Sequence, residues 1–452
     1  MISKLNKVLI DTAKENVAGG TDSTMRLLPY QLPLVISKSE GIRVWDVEGK
    51  ELIDMNMGYG PLLFGHRSRI VTDAIKKELE LRGTVLGFIH ELSSEVALLI
   101  KKSFPSIDLI RFSSSGTEVA QTAVRLARAY TNRTNIVVFE GHYHGSSNAV
   151  FHKYHAEIAD IESQPSYNAI PGTEGMGGEP QNIFVLPWNN LNLLKTFFEE
   201  KGETIAAVIM EPVMGNAGVI APKDGYLQGV RKLTQDYGSL LIFDEIISGY
   251  RVARGGAQER YGVQSDITLL SKAMNGGVPI SAIGGRREVM NLLVEGRVFH
   301  GGVYSGNPMC LAATLAVQQE YDTNGEWIYS TLEDNSRYLC TELLQIFKTA
   351  GIPVSVQNVG AMISLSFVEE GFTQRFEDYR EIKKFTNKDK YIKFQNELQI
   401  EGVYIHPNQF EPWYLSTLHT TEQLDIVLEK MDKVIRRINW SSMDSVKLHS
   451  RV

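Results

Sequence analysis

Residues 240–285 read LLIFDEIISGYRVARGGAQERYGVQSDITLLSKAMNGGVPISAIGG. An apolar run, LLIF at 240–243, stops at Asp244-Glu245, and a second, ITLL at 267–270, stops at Ser271-Lys272. Short continuous apolar runs bounded by turn residues read as strands buried on both faces. Two more, IVVF at 136–139 and IAAVIM at 205–210, end on Glu140-Gly141-His142-Tyr143-His144-Gly145 and on Glu211-Pro212. Helix-like stretches separate most of them. This alternation predicts an α/β fold: a large, mostly parallel sheet with helices on both faces. Open sheets of this kind bind ligands beyond the carboxyl ends of their strands. Here that edge receives carboxylates, an aromatic ring and a lysine.

The flanks of this core have a different texture. Residues 1–20 read as an amphipathic helix ending at Gly19-Gly20. Residues 41–54 read as a hairpin turning near Glu48-Gly49. Strand–helix alternation begins at about residue 66. The polar, Gly/Pro-rich segment 153–185 reads as a long loop near the site. A helical pattern over 311–350 is followed by short strands near 353–368 and 402–406 and by an amphipathic helix over 421–438. The expected organisation is therefore 1–65, joining a small domain; 66–320, the large domain; and 321–452, a small α+β domain. The tail after Trp440 is expected to be poorly ordered.

Composition narrows the classes. The chain has 452 residues, 43% hydrophobic and 22% charged, which is ordinary for a soluble globular protein. A net charge of −7 gives no reason to expect nucleic-acid or membrane partners. Only Cys310 and Cys340 occur, so neither a disulfide framework nor a metal site is expected, and a reducing, cytoplasmic home fits. The charged N-terminus does not read as a signal peptide. No apolar run is long enough to span a bilayer.

A second chemical element is Ser113-Ser114-Ser115-Gly116-Thr117-Glu118, followed by VAQTAVRLARAY with Val119, Ala123, Leu126 and Ala127 at helical spacing. Taken alone, hydroxyl residues and a glycine at a helix N-terminus are a common cap. They are also a place where free N–H groups and the helix dipole favour a phosphate. Joined to the strand-end groups, the set matches the needs of pyridoxal 5′-phosphate (PLP). Ser115, Gly116 and Thr117 would cradle the phosphate. Asp244 would hold the pyridine nitrogen protonated, and Tyr143 would stack on the ring. Lys272 would carry the cofactor as a Schiff base, its pKa lowered by the site. Glu211 stays open between a substrate-facing acid and a structural one.

Residues 240–285 resemble the signature of the class III aminotransferases: the D-E-x-x-x-G-x-R run, the 28-residue step from Asp244 to Lys272 and the Gly-Gly that follows. Within that family RFSSSGTEVAQTAVRLARAYTNR, FEGHYHG, SGNPM and GVYIHPNQFEPWYLSTLHT are similar to glutamate-1-semialdehyde 2,1-aminomutases and related β-amino acid aminotransferases. The resemblance implies PLP fold type I, like aspartate aminotransferase, in a homodimer with active sites at the interface. It implies that Gly301–Asn307, including Val303 and Tyr304, reaches the neighbouring subunit's phosphate. It also implies that Glu411 lies near the substrate entrance and that Arg26 pairs a substrate carboxylate. Segments Met57–Pro61 and Gly87–Glu91 match walls of the substrate pocket. The chain departs from the aminomutase pattern at Ser114, usually Asn; at Val303, usually Thr; and in SKAMNGG around the lysine.

The expected activity is transfer of an amino group from an amino-acid donor to a keto or aldehyde acceptor, such as a β-keto acid or an amino-sugar carbonyl. An aminomutase, a PLP-dependent racemase or epimerase, and a PLP-binding protein without turnover are the alternatives. Asp244 and Lys272 together argue against the last.

Overall fold

The structure, a computed structural model, describes residues 4–164, 166–176, 182–372 and 374–440. Fourteen strands lie among them. The first three are β1 (Ile36–Glu40), β2 (Arg43–Asp46) and β3 (Glu51–Asp54). The large sheet takes β4 (Leu109–Ser113), β5 (Asn135–Phe139), β6 (Ile183–Leu186), β7 (Ile205–Met210), β8 (Leu240–Asp244), β9 (Ile267–Leu270) and β10 (Ser281–Gly285). The last four are β11 (Val354–Val359), β12 (Met362–Phe367), β13 (Val403–Tyr404) and β14 (Trp413–Tyr414).

The large sheet has the order β4-β10-β9-β8-β7-β5-β6. The four apolar runs are its neighbouring inner strands β5, β7, β8 and β9, all parallel. β10 runs antiparallel to both of its neighbours, β4 and β9. Every residue of β7, β8 and β9 is buried, which is why these strands read as unbroken apolar runs rather than alternating ones. The helix Gly116–Thr131 covers one face, with Val119, Ala123, Leu126 and Ala127 in the core beneath it. Leu194, Phe197, Tyr226 and Val230 cover the other. Each large side chain so buried contributes about 1.5–3 kcal/mol. Together the two layers fix the sheet edge where the strands end.

A four-stranded sheet, β1-β2-β3-β13, joins the two ends of the chain, with Ile53 opposite Val403. Lys50 Nζ reinforces that joint by donating to the carbonyls of Gln399 and Ile400, each at 2.9 Å. The third sheet, β11-β12-β14, is antiparallel. One helix, Pro308–Thr349, starts where the Asn307 side chain accepts from Cys310 N, with proline in its first turn. It runs unbroken through residues 320 and 321.

Two local expectations are corrected. Among the described residues the N-terminal helix covers Lys4–Asn16 and stops short of Gly19-Gly20, because Val17 is extended and Gly19 adopts a φ of 69°; residues 1–3 lie outside the described residues. The segment 153–185 is not one loop: it holds a helical turn at Ile158–Glu162 and ends in β6, which pairs with β5. The tail after Trp440 lies outside the described residues. Among the described residues no helix is long and apolar enough to cross a membrane.

Candidate active site

Strands β8 and β9 deliver the two central groups. Asp244 is the last residue of β8 and pairs in register with Leu269, so Lys272 follows just beyond the end of the neighbouring strand. Lys272 has a left-handed φ of 44°, a conformation that costs a residue with a side chain and persists only when its surroundings hold it. The long helix supplies that hold: Tyr321 Oη donates to Ala273 O at 2.7 Å and Gln318 Nε2 to Met274 O at 2.8 Å. Ser271 Oγ and Asn275 Nδ2 both donate to Ile280 O.

The Asp244 carboxylate is buried. One oxygen lies 2.8 Å from His144 Nδ1 and the other accepts from Ile246 N at 3.1 Å. An ionised acid only accepts, so the hydrogen of this pair sits on His144 Nδ1. Tyr143, next in the chain, is placed by Glu211. The Glu211 carboxylate accepts from Tyr143 N at 2.8 Å and Asn216 Nδ2 at 2.9 Å on one oxygen, and from Gly215 N at 2.8 Å and Asn216 N at 3.3 Å on the other. Burial still pushes Glu211 up, with His144 as the strongest opposing influence.

The first turn of Gly116–Thr131 meets the same space. Ser115 Oγ accepts from Glu118 N, leaving Gly116 and Thr117 as the leading N–H groups of the helix. Thr117 Oγ1 accepts from Ser146 N at 3.2 Å. A Cβ on Gly145, whose φ is +89°, would stand 2.6 Å from that oxygen, so only glycine lets the two turns close here.

These groups enclose one cavity of about 300 Å³, lined among others by Gly116, Thr117, Tyr143, Asp244, Lys272 and Glu411. Arg26, Tyr59 and Glu211 line it too. Burial lowers the Lys272 ammonium, against Glu411, Glu211 and Asp244, which push it up. Burial raises the Glu411 carboxyl to about 7, against the pull of Lys272. Both shifts favour the neutral forms, and an uncharged amine is the nucleophilic one. Arg26 is exposed and opposes the rise of the Tyr59 hydroxyl through its charge and a side-chain hydrogen bond. Val303 and Tyr304 are exposed and do not line this cavity.

Sequence reasoning overlooked three features. It gave no role to His144, nor to Ile246 and Ile247, which line the cavity beside Asp244. The D-E-x-x-x-G-x-R run contained both isoleucines but did not show which way they face. It also had no signal for the four-donor hold on Glu211.

A sequence model described as "Aminotransferase class-III" matches residues 28–435. The chain belongs to the class III aminotransferases. It is 38% identical to the glutamate-1-semialdehyde 2,1-aminomutase of Persephonella marina over 95% of this chain and 98% of that one. Among solved structures it is similar to an omega-transaminase from Sphaerobacter thermophilus, with a TM-score of 0.85, 26% identity and coverage of 95% and 97%. It is also similar to a β-phenylalanine aminotransferase from Variovorax paradoxus, with a TM-score of 0.84, 25% identity and coverage of 96% and 94%.

This class III aminotransferase is a PLP-dependent enzyme acting on small amino and carbonyl compounds, and its residues fit that cofactor. The helix N-terminus offers N–H groups where a Cβ on Gly116 would come within 2.7 Å of Ile246 Cδ1. The donor set therefore holds an anion cradle, a buried carboxylate and a lysine around one cavity, the chemistry that PLP requires. No group of three or more candidate metal ligands occurs among the described residues.

Proposed function

We propose that this enzyme transfers an amino group from an amino-acid donor to a keto or aldehyde acceptor. The observation that carries the reading is that Asp244 and Lys272, at the ends of adjacent strands, face one cavity with Glu411 and Arg26. When bound, PLP supplies a carbonyl that takes up the amino group and an electron sink for the carbon that bore it. Lys272 holds the cofactor and moves the proton at that carbon. Asp244, fixed by His144, keeps the pyridine nitrogen protonated. Gly116 and Thr117 N–H and the Ser115 turn would hold the phosphate, Tyr143 would take the ring face, and Ile246 would exclude water. Arg26 takes a substrate carboxylate through its guanidinium fork. Glu211 serves chiefly to hold Tyr143. Glu411 faces the substrate side.

The proposed assembly is a homodimer in the cytoplasm, with Val303 and Tyr304 at the partner's phosphate. The proposed division of the chain is 1–65, 66–320 and 321–452.

A 2,1-aminomutase is the second reading, favoured by the full-length likeness to proteins of that name. A panel of amino acids offered to the purified enzyme separates the two. Conversion of bound PLP to its amine form with release of a keto acid supports transfer. Rearrangement of one substrate without an acceptor supports the mutase. Borohydride should fix the cofactor on Lys272. Its recovery on another lysine would remove the basis of both readings.

A further inference from the structure

The cavity wall at Tyr59 belongs to a pair that the sequence keeps far apart. His406 Nε2 lies 3.0 Å from the Tyr59 hydroxyl. The other ring nitrogen, Nδ1, accepts from Asn408 N at 3.1 Å. A neutral imidazole carries one hydrogen, and the Asn408 N–H leaves no room for it on Nδ1. The hydrogen is therefore on Nε2 and is donated to the Tyr59 oxygen. That assignment leaves the Tyr59 hydroxyl hydrogen pointing elsewhere. Tyr59 lines the cavity with Arg26, Glu411 and Lys272. Glu411 acts on Tyr59 through charge, and Arg26 through charge and a side-chain hydrogen bond; a guanidinium only donates, so that contact also falls on the phenol oxygen and leaves its hydrogen free.

The backbone shows that this placement is held. Tyr59 has a φ of 66°, between Gly58 and Gly60 at 66° and 99°. A non-glycine residue keeps such a conformation only under constraint. Tyr59 N donates to Asn56 Oδ1 at 2.9 Å, and Gly60 O accepts from the buried Arg251. The charge states also fit. Burial lowers the His406 imidazole to about 4 and raises the Tyr59 phenol to about 12, so the ring stays neutral and the phenol keeps its hydrogen.

We propose that Tyr59, its hydroxyl hydrogen turned into the cavity by His406, is a specificity-determining donor that receives a carboxylate oxygen of the substrate beside Arg26. His406 is its positioning residue. The inference rests on the amino-transfer reading for the identity of that substrate. A phenol and a guanidinium side by side suit a carboxylate, which accepts from both. They give no comparable advantage to an amine without one.

The test compares an amino acid that the wild-type holoenzyme converts with the amine formed by removing its carboxyl group. In Tyr59→Phe the preference for the acid, as a ratio of kcat/KM, should fall about tenfold, chiefly through KM, as for one lost hydrogen bond to a charged group. His406→Phe should lose part of the same preference, and His406→Gln should recover it, because the amide nitrogen can still donate. The double variant Tyr59→Phe/His406→Phe should be no worse than Tyr59→Phe alone. Equal losses on acid and amine, or a wild type that prefers the decarboxylated amine, would overturn the proposal. Nitrogen-15 NMR of His406 gives a readout that needs no turnover: hydrogen on Nε2 is expected, and hydrogen on Nδ1 overturns the relay. A wild type that converts nothing tells against amino transfer while leaving the His406 result readable.

Discussion

His144 Nδ1 stands 2.8 Å from Asp244 Oδ2, with both side chains sealed from solvent. The contact joins the turn after β5 to the end of β8, across the strand β7 that lies between them. A buried carboxylate that loses its partner is costly, and the cost falls on the charged form. His144→Leu is therefore expected to lower the holoenzyme's melting temperature and to weaken PLP retention by about tenfold, as for one lost hydrogen bond to a charged group. His144→Asn should recover part of this, because its amide can donate from nearly the same place. Equilibrium dialysis against cofactor, with thermal unfolding, measures both. Retention in the leucine variant equal to wild type would show that the Ile246 N–H alone suffices.

Asp244→Asn tests the acid itself. The amide keeps the shape of the side chain but cannot balance a protonated pyridine. The rate of amino transfer should fall by roughly a hundredfold or more, with the fold intact by circular dichroism, since this charge acts on the electron sink. Near-normal turnover would remove Asp244 from its assigned role.

Glu411 gives the protein a pH dependence of defined sign. Its folded value is about 7 against an ordinary 4.5, mainly through burial. The folded chain thus holds this proton more tightly than the unfolded chain. The stability that comes with it is fully present below the ordinary value and is lost as pH rises through 7. Glu245, also raised to about 7 by burial, titrates over the same range, so the wild-type slope alone does not isolate Glu411. The difference between Glu411→Gln and wild type does. That difference should move in favour of the variant by roughly 1–3 kcal/mol between pH 5 and pH 8. Urea unfolding at the two pH values checks it, and a constant difference would show that Glu411 stays charged.

Gly60 separates backbone strain from packing. Its φ is +99°, and an added Cβ would lie 2.8 Å from Tyr414 Cε1. Gly49 has a similar φ of +84° with nothing within 4 Å. Gly49→Ala should cost about 1 kcal/mol for the conformation alone. Gly60→Ala should cost about 1–3 kcal/mol more for the forced contact and should raise KM, because the displaced turn carries Tyr59. Equal losses in the two variants would mean that Tyr414 gives way freely.

The parts of this site that could be read from the sequence follow from what kind of signal places each residue. Asp244 ends a strand, Glu211 directly follows one, and Lys272 and Tyr143 lie two and four residues beyond theirs, and a buried parallel strand announces its own end. Ser115-Gly116-Thr117 was legible because the helix after it shows its buried face. The Tyr59–His406 contact spans 347 positions and involves two loops with no periodicity, so nothing local announces it. His144 drew no role from the sequence because one polar residue in a turn does not reveal what it faces. The N-terminal helix stops short of Gly19-Gly20 although apolar spacing persists past Asn16, because the backbone becomes extended at Val17. The chain's departures from the aminomutase pattern are plain in the sequence, but their effect on substrate choice depends on the cavity wall.

The last prediction concerns assembly. Val303 is 77% and Tyr304 63% exposed, and Phe88, Ile89 and Phe299 are exposed as well. The two loops that carry them are tied together where His90 Nε2 approaches Gly306 O at 3.3 Å. Five large side chains exposed on two joined loops are the kind of surface that an interface covers. Neither Val303 nor Tyr304 lines the cavity of its own chain, which fits a segment that serves a neighbour. The wild type should therefore be a dimer in solution. Replacing Val303 and Tyr304 together by glutamate should place like charges in a desolvated interface, where they oppose association. The variant should shift toward monomer by light scattering at micromolar concentration and should lose PLP in parallel. Loss of cofactor without loss of the dimer would place the segment at the phosphate but not at the energetic centre of the contact. A wild-type monomer with full turnover would refute the shared site, and the phosphate would then be held by the Ser115–Thr117 turn of its own chain alone.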